Sequence, residues 1–313
     1  MRITRTHRRT TTVAGVLAFG LTLAACGGGE EEPEDTGAAA EEGAEGGSAA
    51  EDSEPIVLGY IPSWTDGLST AYLLENQLEA AGYTVEHQEL SEAAPLYTGL
   101  AQGDVQIYPS AWPEVTHADY MDEYGDSIED LGTYYDNAKL TFAVPEYTDI
   151  DSIADLADNV DMFGGQIIGI EPGAGLTGVT KDSVMPTYGL DEDYTLVESS
   201  TTAMLAELQS AVDAEEDIVV TLWRPFWANS AFPVKDLEDP EGALGEAEGL
   251  HFLATDGFSD DYPEVADWIS QIKLSDEEYG SLEDTVVNEY EGDPAGGVEA
   301  WLEANPDVLP SIG

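Results

Sequence analysis

Cysteine is almost absent from this 313-residue chain, which has one, Cys26. That excludes an internal disulfide, so the folded part must rest on an apolar core of its own. Cations are nearly as scarce. Arg2, Arg5, Arg8 and Arg9 crowd the amino terminus, and after Cys26 only Lys139, Lys181, Lys235, Lys273 and Arg224 remain. Five cations against 65 acids leave the chain beyond Cys26 with −60 formal charges, which argues against nucleic acid and anionic ligands as partners. The four histidines, His7, His87, His117 and His251, show no metal-ligand spacing. No G-x-S-x-G elbow appears, so nucleophilic catalysis has no candidate. We therefore expect no catalytic residue, no metal and no cofactor.

A long hydrophobic run is also missing. The apolar stretch Val13 to Ala25 is too short to span a bilayer. It follows an arginine-rich start and ends in Leu23-Ala24-Ala25-Cys26-Gly27, the pattern of a lipoprotein signal peptide with Cys26 as acyl acceptor. Residues 26–54 are acidic and poor in large apolar side chains, and so read as a disordered tether. From Pro55 onward β-branched and aromatic residues recur to the end. The acids are spread over the whole folded part, in DEDY, AEED and SDEEYG among others, as on a surface adapted to salt, and a halophilic source is expected.

Strand and helix signals alternate along that folded part, which predicts an α/β sheet. Strands are expected at 56–61, 84–90, 105–108 and 139–144, with helices at 68–81 and 95–102 between them. After Pro145 the pattern restarts. A helix at 151–157 precedes strands at 166–170, 194–197 and 218–222, with helices at 176–188 and 201–213. A strand at 250–254 and helices near 261–273, 275–288 and 295–304 finish the chain. The expected division is a first lobe over 55–144, a second over 145–249, and a return to the first over 250–313. Such a chain crosses twice between lobes, the geometry of a hinged cleft.

Three of the six tryptophans stand where a predicted strand has just ended: Trp64 after GYIPS, Trp112 after YPSA and Trp223 after VVTL. Ligands of open α/β sheets bind beyond the carboxyl ends of strands. A cage of indole faces attracts a cation that cannot shed its charge, a quaternary ammonium above all. Trp227, Trp268 and Trp301 are better read as packing. The turn Glu171-Pro-Gly-Ala-Gly-Leu-Thr-Gly178 opens a helix, and free N–H groups there, Gly175 and Leu176, can bind an anion. The same turn contains a formal G-x-G-x-x-G with Glu198 twenty residues beyond Gly178, the outline of a dinucleotide site, but the chain offers no hydride-transfer site. His117, five residues after Trp112, could donate to an anion.

The blocks SAWPEVTH (110–117), IIGIEPGAG (167–175), SSTTAMLAEL (199–208), IVVTLWRPFW (218–227) and the stretch from Gly245 to Ser275 resemble the glycine betaine-binding proteins of osmoprotectant ABC transporters. The resemblance covers residues 56–310. It implies a type II periplasmic-binding-protein fold, two α/β lobes joined by a two-strand hinge with the ligand cleft between them. It implies a prism of Trp64, Trp112 and Trp223 around a trimethylammonium group, with Gly175, Leu176 and His117 holding the carboxylate. A monomer is implied, lipid-anchored on the extracellular face of the cytoplasmic membrane and serving a permease and an ATPase. Proline betaine, carnitine, choline and ectoine stay open as ligands. Arg224 is expected to pair with surface acids or to approach the ligand carboxylate.

Overall fold

The structure is a computed structural model that describes residues 53–312. The expected signal peptide, Cys26 and nearly all of the tether lie outside the described residues. The first half runs β1 (Ile56–Tyr60), α1 (Thr65–Ala80), β2 (Val85–Glu89), α2 (Ala93–Gln102), β3 (Ile107–Ala111), α3 (Ala118–Tyr124) and β4 (Ile128–Pro145). Then come β5 (Gln166–Ile168), a helix made of α4 (Gly175–Val179), a π turn at Thr180–Val184 and α5 (Met185–Tyr188), β6 (Thr195–Val197), α6 (Thr201–Ala214) and β7 (Val220–Arg224). The chain ends with α7 (Ala228–Ala231), β8 (Val234–Asp236), β9 (Glu248–Thr255), α8 (Phe258–Asp261), α9 (Pro263–Ser270), α10 (Asp276–Asp284) and α11 (Pro294–Ala304).

The strands form two half-sheets that share β4. In the first lobe the order is β2-β1-β3-β9-β4, the first three parallel and β9 antiparallel to both neighbours. In the second, β6, β5 and β7 are parallel, and β4 runs antiparallel to β7 with β8 also on it. Along β4, pairing with β9 ends at Ala138 and pairing with β7 begins at Lys139. One crossing between lobes is thus a continuous strand. The other is the segment between Asp236 and Glu248, which carries no strand.

Four sequence expectations change here. β4 begins at Ile128, eleven residues earlier than the pattern suggested, because its first half absorbs turn-type residues in register shifts at Asp130/Gly132, Thr133/Tyr135 and Tyr135/Ala138. Those irregularities break the period-two signal. β3 is displaced to Ile107–Ala111 and contains Pro109, which sits at the register shift against β9, a place where a strand tolerates a missing N–H. β5 stops at Ile168, two residues short. β7 runs on to Arg224, paired with Lys139, so Trp223 lies inside the strand and not after it.

The core follows the layers. Ile56, Leu58 and Tyr60 of β1, with Leu73, Leu74 and Leu78 of α1, are fully buried in the first lobe, while Ile167, Val219, Val220 and Met204 are buried in the second. Helices α10 and α11 pack on α1, and α9 on β4, so the segment from β9 onward completes the first lobe. Local signals set the helix ends: Ser200 caps α6 by accepting from the Ala203 N–H, and Ser275 with Glu278 makes a reciprocal box on α10. Among the described residues no helix is long and apolar enough to cross a membrane, and no cluster of three His, Cys, Asp or Glu is placed to hold a metal.

Candidate functional site

All six residues singled out from the sequence line one pocket. Trp64, Trp112 and His117 reach it from the first lobe, Gly175, Leu176 and Trp223 from the second. Leu140, Ile170 and Ala174 add apolar walls, and Asp66 and Thr116 add polar ones. The empty space among these residues, open solvent at the mouth included, is about 340 Å³.

Each indole is placed by its element and then braced. Trp112 follows directly on β3 and donates its Nε1–H to Asp66 Oδ2 at 3.0 Å, and the same oxygen takes the Ser110 hydroxyl at 2.7 Å. Trp64 stands at the N-cap of α1, beyond a turn at 61–63, and donates to Glu171 Oε2 at 3.2 Å. Trp223 leaves β7 opposite Leu140 and stacks on Phe226 with centroids 4.0 Å apart. The three retain only 5–9 % of their exposure, so their faces are turned inward and desolvated, the condition under which a ring attracts a cation most.

The same pocket is lined by hydrogen-bond donors, with the His117 ring stacked beside that of Trp64 at a centroid distance of 6.2 Å. Gly175 and Leu176 open α4, where the first N–H groups have no partner within the helix. His117 caps α3 and is buried, with Nδ1 accepting from the Trp112 N–H at 3.2 Å and facing the Tyr97 hydroxyl at 3.0 Å. Accepting at Nδ1 puts the ring proton on Nε2. Burial pushes the His117 pKa down to about 3, so the ring is a neutral donor at ordinary pH. The lobes are in close contact here: a Cβ on Gly175 would stand 1.8 Å from the Thr116 carbonyl oxygen.

Sequence reasoning overlooked the carboxylates. Asp66, Glu171, Glu248 and Glu283 are each no more than 5 % exposed, and none makes an ion pair among the described residues. They are satisfied by N–H and O–H donors instead. Glu248 takes the N–H groups of Glu114, Val115 and Thr116 at 2.9–3.1 Å and so shapes the loop that carries His117. Burial raises the pKa of Asp66 and pushes that of Glu283, which accepts from the Thr65 hydroxyl, up to about 8. Arg224 grips Asp236 with Nε at 2.6 Å and NH2 at 3.0 Å, away from the pocket. Trp268 and Trp301 are core residues.

Over residues 54–304 the sequence matches the family described as the substrate-binding domain of the ABC-type glycine betaine transport system. The chain belongs to this family. Members are binding components of transporters and not enzymes, and Glu198, the would-be ribose ligand of a dinucleotide site, pairs with Lys181 at 3.0 Å. A glycine betaine/carnitine transport binding protein of Listeria monocytogenes is 30 % identical over 160 residues, which are 51 % of each chain. The match thus spans about half the length of that relative. Among solved structures, the glycine/betaine/L-proline-binding protein of Borrelia burgdorferi has 30 % identity and a TM-score of 0.76, covering 82 % of this chain and 97 % of that one. A lactococcal relative in its closed form with glycine betaine has 27 % identity and a TM-score of 0.74, covering 81 % and 97 %. A choline-binding protein with choline has 26 % and 0.71, covering 80 % and 89 %. The two-lobed architecture is that of the type II periplasmic binding proteins these represent.

Proposed function

We propose that the protein captures glycine betaine, or a closely related betaine, outside the cell and presents it to the permease and ATPase of an ABC importer. The observation that carries this reading is the one pocket lined together by three indoles from two lobes, a neutral histidine and a helix start with free N–H groups. A trimethylammonium group fits desolvated ring faces and offers no hydrogen bond that they would leave unmade. Its carboxylate fits the N–H groups of Gly175 and Leu176 and the Nε2–H of His117, a helix-start anion site. Buried acids near the indoles favour a cation, and the zwitterion as a whole adds no net charge to a chain already strongly negative.

A ligand that touches both lobes stabilises the closed form, and closure is the signal for the permease. In this reading residues 1–25 are a lipoprotein signal peptide, Cys26 carries the lipid, 26–54 is a tether, and the receptor works as a monomer on the outer face of the cytoplasmic membrane of a salt-adapted cell. Incorporation of labelled palmitate that is abolished by Cys26→Ala tests the anchor.

Choline is the second ligand to weigh, because Asp66 supplies a buried carboxylate in the cage wall. A thermal-shift and calorimetric screen of glycine betaine, proline betaine, carnitine, choline and ectoine at high salt decides among them. Glycine betaine should bind and be weakened by His117→Ala. Binding of choline alone, indifferent to His117→Ala, would replace this ligand with that one, and no binding of any quaternary ammonium would refute the cage.

A further inference from the structure

The turn Glu171–Pro172–Gly173 belongs to the second lobe, yet four side chains of the first lobe reach it. The Glu171 carboxylate accepts from the Ser63 hydroxyl at 3.3 Å and the Trp64 indole at 3.2 Å on the first lobe, and from the Thr201 N–H at 2.9 Å and hydroxyl at 2.8 Å on its own. Beside it the Gly173 N–H donates to Glu92 at 3.2 Å, and the Gly173 carbonyl accepts from the Tyr120 hydroxyl at 2.7 Å. Glu171 does not line the pocket.

We propose that Glu171 is a positioning residue and an interlobe latch: it fixes the indole of Trp64 from the opposite lobe, and so completes the ammonium cage only when the cleft is shut. This rests on the ligand reading above. Thr201 begins α6, so its N–H and the helix dipole hold the carboxylate whether the cleft is open or closed. Ser63 and Trp64 belong to the other lobe and leave when the lobes part. Closure therefore exchanges water on a buried carboxylate for two protein donors, and hydrogen bonds to an ionised acceptor are the stronger kind. Because the contact is made by protein on both sides, it favours closure with or without ligand, and it slows escape once ligand is inside.

The test is Glu171→Gln, which keeps the shape but turns an NH2 group toward surroundings made of donors. With radiolabelled glycine betaine and rapid filtration, dissociation should accelerate about tenfold or more while association changes less than about threefold. The unfolding midpoint of the ligand-free protein should fall only slightly, since the amide oxygen that Glu171→Gln introduces can still accept from Thr201. Ser63→Ala removes one weak donor and should accelerate dissociation by a smaller factor, which keeps the test alive if Glu171→Gln folds poorly. An unchanged dissociation rate, or a midpoint that falls in step with affinity, overturns the latch. If the wild-type protein binds no betaine, the ligand reading fails separately. The latch is then judged by spin labels on Glu86→Cys and Glu207→Cys in a Cys26→Ser background. Glu171→Gln must lengthen the ligand-free interlobe distance, and no change overturns the proposal.

Discussion

Trp112 and Trp223 are held by the lobes they belong to, Trp112 through Asp66 and Trp223 through its stack on Phe226. On the proposed cage reading, removing either ring leaves the fold its scaffold and takes from the ligand one cation–π contact, roughly 0.5–2 kcal/mol, together with buried area. Trp112→Ala and Trp223→Ala should each weaken glycine betaine binding at least about tenfold in calorimetry, a loss of about 1.4 kcal/mol. Trp268→Ala should instead lower stability, because that ring is core. His117 stays neutral in the fold, its pKa pushed down to about 3 by burial, so affinity should show no imidazole step between about pH 5 and 8, where an exposed histidine would titrate. Calorimetry across that range checks it. At this scale the sequence made the aromatic and backbone groups readable, since tryptophans are few and the Gly-rich turn has a pattern. It hid Asp66, Glu171, Glu248 and Glu283 among 65 acids, and the partners that distinguish them lie far along the chain, 107 positions apart for Trp64 and Glu171.

Elements were legible wherever periodicity was clean. The βα alternation, the restart after Pro145 and the three closing helices all follow from spacing. The first half of β4 did not, because Gly132 looks like a turn until β9 is there to pair with it. The start of α4 carries its own prediction. With Gly175 against the Thr116 carbonyl, a methyl group at 175 can be accommodated only by parting the lobes. Gly175→Ala should therefore weaken ligand binding about tenfold or more in calorimetry while the ligand-free melting temperature holds. In α10, Glu283 binds its proton more tightly folded than unfolded, its pKa raised to about 8 by burial. Between its unfolded value, about 4.3 for a free glutamate, and about 8 the unfolded chain releases that proton first, so this group lowers stability as pH rises through that window. Glu283→Gln should flatten the decline and raise stability at pH 8, as read by denaturant unfolding.

For the whole molecule the dominant quantity is charge. Beyond Cys26 five cations cannot neutralise 65 acids, and self-repulsion across an exposed surface weakens as salt shortens the screening length from about 10 Å at 0.1 M to about 3 Å at 1 M. The unfolding midpoint should rise steadily with sodium chloride over that range, and a flat response would count against a salt-adapted surface. The cage is desolvated, so its contacts are screened less than the surface is. Affinity should therefore change little over the same salt series.

The link from Trp64 to Glu171 also makes the protein a natural optical reporter of its own closure. The other indoles whose N–H is held donate within their own lobe, Trp112 to Asp66, Trp268 to the Pro310 carbonyl and Trp301 to Ser281. Among these four indoles of the described residues, Trp64 is the one that spans the cleft. On the proposed reading, when the lobes part it exchanges a carboxylate for water, so its emission shifts to longer wavelength together with that of the pocket-lining Trp112 and Trp223, while the core rings Trp268 and Trp301 hold still. Intrinsic fluorescence, with no dye attached, should then follow that opening in real time.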